Sequence, residues 1–163
     1  MRTLIATSVL AAVAAGLLWA AEPDALAVKS SNDIAVVVHP MNVVDSVTLS
    51  DLTKILRGDR KFWNGKTPVT IVLRAAGTPE HDHVLAAVVH MSDGEFKEHW
   101  IGKVFRGEAS AEPIIVPSDG LASEYVSTNM GAVAFMPGIN VRGDLKVLKI
   151  DGKLPGQAGY PLK

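Results

Sequence analysis

An arginine, a glycine and a hydroxyl residue stand close together in Leu73-Arg74-Ala75-Ala76-Gly77-Thr78-Pro79-Glu80. These residue types in this order suit an oxyanion. Arginine presents a planar fork of N–H donors that matches tetrahedral oxygens. Glycine lets the backbone approach closely, and threonine at the mouth of a helix sets a hydroxyl beside unpaired N–H groups and the positive end of the helix dipole. Arg74, Gly77 and Thr78 are therefore the candidate oxyanion-binding residues. The plainer alternative has Thr78 only capping its helix and Arg74 only facing water.

Other chemistry fails on spacing. His81-Asp82-His83 lies in the first turn of the same helix, with His90 further along. His81 and His83 point about 200° apart on a helix, and His83 and His90 miss the i, i+4 spacing of helical zinc ligands, so no metal site is expected. His81 lies near enough to the loop to tune anion binding with pH. Gly65-Lys66-Thr67 imitates the end of a P-loop, but Arg60 stands where the first glycine belongs, and Pro68 and a strand follow instead of a helix. Ser118-Asp119 fits a helix cap, and there is no G-x-S-x-G elbow. The absence of cysteine removes thiol chemistry and thiolate zinc sites. Nothing points to an enzyme or a cofactor. The basic residues Arg57, Arg60, Lys61 and Lys66 are interleaved with Asp59 and Phe62-Trp63, a solvated loop that could help to attract anions.

The elements that must hold the Arg74 loop can be read from periodicity. Ile34–Val38 is an uninterrupted β-branched run stopped by Pro40, the pattern of a buried strand. Thr48–Arg57 is helical, with Thr48 as N-cap, Leu49, Leu52, Ile55 and Leu56 on one face, and Gly58 beyond its end. Val69–Leu73 is the strand that leads to Arg74. A helix opens at Thr78-Pro79, where proline loses no hydrogen bond, and presents Val84, Leu85, Val88 and Val89. Ser92 and Glu95 form a capping box for the next helix, with Phe96, Trp100, Ile101, Val104 and Phe105 expected inward. Ile114–Val116 is a short strand, and Ser118 caps a helix carrying Leu121, Tyr125 and Val126. Ala132–Met136 and Leu145–Ile150 are the closing strands. Strands alternating with helices predict an α/β fold with a mixed sheet.

The chain has 163 residues, 16 basic and 17 acidic, and a formal charge of −1. It lacks the basic excess of a nucleic-acid binder, and its apolar content is too high for an acidic disordered chain. The N-terminus reads as an export signal: Arg2, an apolar run from Leu4 to about Ala21, then Ala25-Leu26-Ala27 as an A-x-A cleavage pattern. Cleavage is expected after Ala27, with Ala21 as the alternative site and an uncleaved anchor as the alternative fate. Residues 28–163 would then be one formally neutral domain held by packing alone, exported to the periplasm.

Three segments in order carry a resemblance: TLSDLTKILRGDRKFWNGKTPVTIVLRAAGT, then two helices, then SEYVSTNMGAVAFMP. Together they resemble the phosphate-binding proteins of phosphate ABC transporters, over roughly residues 34–137. In that family a helix ending in glycine and a tryptophan turn lead to a strand with arginine and a Ser-Gly-Thr loop. A later helix precedes a glycine-alanine strand, matched here by Met130-Gly131-Ala132-Val133-Ala134-Phe135. The resemblance implies a periplasmic-binding-protein type II-like fold and capture of phosphate or a similar oxyanion by hydrogen bonds. It places the family's arginine at Arg74 and its glycine-hydroxyl step at Gly77-Thr78. The length leaves room for a single lobe, so a homodimer, a membrane transporter or another envelope protein would complete the cleft. The alternative function is an accessory module that keeps the fold, binds no ligand and docks an envelope complex, as Pro79 and Glu80 at the helix mouth favour.

Overall fold

The computed structural model describes residues 23–163. The export signal expected over residues 1–27 therefore lies almost wholly outside the described residues. Helix α1 (Pro23–Lys29) spans the cleavage position expected after Ala27. Val28 of α1 is buried, and Gln157 donates to Asp24 (3.0 Å).

A five-stranded mixed sheet carries the fold. Its strands are β1 (Ile34–Val38), β3 (Thr70–Arg74), β4 (Ile114–Val116), β5 (Ala132–Pro137) and β6 (Lys146–Val147), in the order β4-β3-β5-β1-β6. β3 runs parallel to β4 and β5, while β1 runs antiparallel to β5 and β6. A second, two-stranded parallel sheet pairs β2 (Ser46–Val47) with β7 (Lys149–Ile150). The expected single strand over 145–150 is thus two strands that serve different sheets. Leu148 between them is fully buried and donates its N–H to Val36 O (2.9 Å).

Every residue of β1 is buried because both faces of the sheet are covered. On one face Ile34, Val36, Val38, Ile71, Leu73, Val133 and Phe135 pack against α2 (Leu49–Leu56), α3 (Pro79–Val84) and α4 (Asp93–Phe105). On the other, Ala35, Val37, Val72, Ala134 and Met136 pack against α1 and α5 (Asp119–Thr128). Alternation along each strand sorts side chains between these two cores. The C-terminal segment closes the first core: Tyr160 is buried and donates its hydroxyl to Ile34 O (2.6 Å).

Helix starts follow local hydrogen bonding. Thr48 accepts from Asp51 N (3.0 Å), and Ser92 and Glu95 make a reciprocal capping box. Inward faces depart from expectation where a tertiary partner decides. α4 buries Phe96, Trp100 and Lys103, whereas Ile101 and Phe105 are 56% and 91% exposed. Lys103 completes the i, i+4, i+7 stripe because Asp59 lies against it (2.6 Å). In α5 the buried residues are Ala122, Ser123 and Val126, and Leu121 faces outward. α3 widens into a π-turn over Leu85–Val89. No glycine or proline marks that change, and Thr53 supplies a donor to Val88 O (2.9 Å) within it.

Candidate functional site

Arg74 ends β3 as its last residue, and Ala75–Thr78 then reverses the chain. Gly77 is the third residue of that turn with φ +80°, a left-handed conformation that a side chain would strain. Thr78 caps α3, with Pro79 in the first helical position. The three expected anion-binding residues thus share one short loop at the carboxyl end of β3.

Their hydrogen bonds define what each can offer. The Thr78 hydroxyl donates to Ala75 O (2.9 Å) and accepts from His81 N (3.4 Å). Its single proton is therefore committed, and a ligand would receive it only after the hydroxyl turns. The Arg74 side chain is 16% exposed, with Nη1 3.2 Å from Asp119 Oδ1. That contact lacks the alignment of a hydrogen bond, which leaves Asp119 Oδ1 without one, and Arg74 Nε is likewise buried with no hydrogen-bond partner. Asp119 Oδ2 accepts from Asn140 Nδ2 (2.7 Å), which anchors the carboxylate beside the arginine. The site therefore holds one orphaned donor and one orphaned acceptor, a costly state for buried polar atoms.

A second layer fixes the loop. His81 is 2% exposed and stands between two oxygens, Nδ1 at 2.8 Å from Arg74 O and Nε2 at 3.0 Å from Asp93 Oδ1. It ties the end of β3 to the start of α4. The Asp93 carboxyl is held below the usual aspartate range, first by its hydrogen bond to Lys97 (2.7 Å) and then by His81.

Sequence reasoning missed Asp119, Asn140 and Asp93. Asp119 was legible only as a residue following a cap, and Ser118 does cap α5 through Leu121 N (3.2 Å). The histidines do not converge: His90 ends the π-turn in a left-handed conformation, with Nδ1 2.8 Å from Ala86 O, and His99 contacts Arg57 O. Among the described residues no group of three or more His, Asp or Glu side chains could hold a metal ion. The basic loop is also committed: Arg60 bonds the Phe62 and Trp63 carbonyls, and Asn64 Oδ1 accepts from Lys66 N and Thr67 N in a turn, not a phosphate cradle.

Among solved structures, the chain has the fold of periplasmic-binding-protein-like substrate-binding proteins. It matches a phosphate ABC transporter substrate-binding protein from Clostridium perfringens, solved with bound phosphate, at 21% identity and TM-score 0.60, over 74% of this chain and 45% of that one. An ABC-type phosphate transport receptor from Vibrio cholerae matches at 17% identity and TM-score 0.60, over 76% and 48%. PstS from Borrelia burgdorferi matches at 13% identity and TM-score 0.62, over 80% and 53%. The chain thus spans about half the length of these structures, and the fold is a single lobe of mixed-sheet α/β type, as expected. No family model and no curated protein matches it.

Proposed function

We propose that the chain is an exported solute-binding protein that takes phosphate, or a similar protonated oxyanion, at the Arg74 loop, in connection with ABC-type phosphate uptake. The observation that carries this reading is the orphaned pair at the site. Arg74 Nε is a buried donor with no hydrogen-bond partner, and Asp119 Oδ1, ion-paired with Arg74 Nη1 at 3.2 Å, accepts no aligned hydrogen bond. Hydrogen phosphate brings both an unprotonated oxygen for the first and a P–O–H for the second. Sulfate at neutral pH brings acceptors only and would meet the Asp119 charge unrelieved. Gly77 keeps the loop free of a side chain, and Thr78 would add its hydroxyl by turning away from Ala75 O. No cofactor, metal or catalytic step enters this function.

Export rests on residues 1–27, and the docked α1 favours cleavage after Ala21 over Ala27, because cleavage at Ala27 would discard Asp24 and its bond to Gln157. The chain spans about half the length of the matched structures, so a homodimer, a membrane transporter or another envelope protein would complete the cleft. The second reading, an accessory module without a ligand, is favoured by the internal commitments of Arg74 to Asp119 and of Thr78 to Ala75. Thermal unfolding in phosphate, sulfate and chloride at matched ionic strength separates the two. Phosphate alone raises the midpoint if the site binds it; three equal curves leave the accessory module.

A further inference from the structure

A sizeable cavity lies at the opposite end of β3 from Arg74. It is an open trough of about 640 Å³, with Ile55, Val69, Ile71 and Trp100 among its apolar lining and Arg60 and Lys61 among its polar lining. We propose that this trough is a second binding site, for a small amphipathic monoanion whose alkyl body lies along the apolar floor and whose carboxylate meets Lys61.

Shape and composition support an organic ligand. Ligand sites are typically about 300–1,000 Å³, mostly apolar, with a few convergent polar groups. The floor is preformed: Trp100 is 5% exposed, and its indole N–H donates to Leu56 O (3.1 Å). Gly58 packs so closely on that ring that an added Cβ would stand 2.8 Å from it. Phe62, 45% exposed, extends the apolar lining toward solvent.

Charge selects the sign of the head group. Around the trough, Arg60 meets Asp51 (3.7 Å), Lys103 meets Asp59 (2.6 Å) and Arg106 meets Glu108 (2.6 Å). Lys54 and Arg57 add further positive charge to the first two carboxylates. Lys61 is exposed and has no ion-pair partner among the described residues. The remaining carboxylate nearby, Glu112, lines a narrow extension of about 110 Å³ that shares Val69, Ile71 and Trp100. Glu108, which also lines the trough, feels Lys61 beyond ion-pair distance and is already met by Arg106 (2.6 Å) and Lys103 (3.8 Å). The balance at the trough is therefore positive, which favours an anion at Lys61 and opposes a cationic head group.

The test is calorimetric titration of the processed protein with dodecanoate below its micelle concentration, alongside dodecyltrimethylammonium of the same chain length. Saturable binding of dodecanoate and none of the cation is expected. Lys61→Glu, at an exposed position, should weaken dodecanoate about tenfold or more. Ala109→Trp and, at a more exposed position, Ser110→Trp should each fill the trough and abolish binding, with circular dichroism confirming the fold. Absence of saturable dodecanoate binding overturns the proposal, as does equal binding of the cation. Loss in a folded tryptophan variant without any response to Lys61→Glu overturns the anionic assignment. Full binding in both tryptophan variants places the ligand elsewhere and overturns the site.

Discussion

Replacing Asp119 by asparagine tests whether this carboxylate competes with the anion for Arg74. The carboxylate lies 3.2 Å from the guanidinium, both side chains are less than one-fifth exposed, and Asn140 keeps it in place. At that separation and an effective dielectric of about 20, the attraction is ~5 kcal/mol before desolvation, of which a smaller net part survives. An incoming anion must share the guanidinium with this charge and sit a few ångströms from it. Removing the charge should relieve ~1–2 kcal/mol of that cost, or about five- to thirtyfold in affinity. The gain should be larger for sulfate than for phosphate, because the asparagine amide offers an N–H that an acceptor-only anion can use. The phosphate selectivity proposed for this site should therefore narrow. The same substitution leaves Arg74 without its counter-charge and should lower stability by ~1–2 kcal/mol. Calorimetric titration of both anions into Asp119→Asn measures the first effect, and urea unfolding measures the second. Unchanged or weaker sulfate binding in the folded variant would refute the competition.

Three further outcomes follow from the structure. Gly131→Ala should destabilise by about 3 kcal/mol in urea unfolding, because a Cβ there would run into Pro68 O in the rigid turn closed by Trp63 Nε1 on Gly131 O (2.9 Å). Asp93, whose folded carboxyl is held down by Lys97 and His81, contributes stability that is present above the ordinary aspartate value, about 3.9, and lost as pH falls through its lower folded value. Asp93→Asn should therefore remove stability at neutral pH and flatten the acid limb of a pH series of unfolding curves. On the export proposed above, the secreted chain should begin at Glu22 on N-terminal sequencing, with α1 intact; a start at Val28 would show that α1 is dispensable.

What could be read from sequence were features closed by neighbours along the chain. The Thr48 cap, the Thr78-Pro79 helix start, the Ser92–Glu95 box and the buried run of β1 all depend on residues a few positions apart, and all are present. Features closed across the fold were not legible. Lys103 occupies the inward stripe of α4 because the loop after α2 delivers Asp59, and no periodicity contains that fact. The expected closing strand divides because β1 and β2 each claim one half of it. At the site, Arg74 and the Gly77-Thr78 turn were visible as types in a row. Asp119 was not, because it comes from a different helix and its partner is set by the parallel pairing of β3 with β4.

The most direct test of the central claim is calorimetric titration of phosphate into the processed protein and into Arg74→Ala. Saturable binding in the first and none in the second is the predicted result, with sulfate bound more weakly than phosphate. No heat at millimolar phosphate, or equal binding in both proteins, would contradict an oxyanion site at Arg74 and leave a docking module in its place.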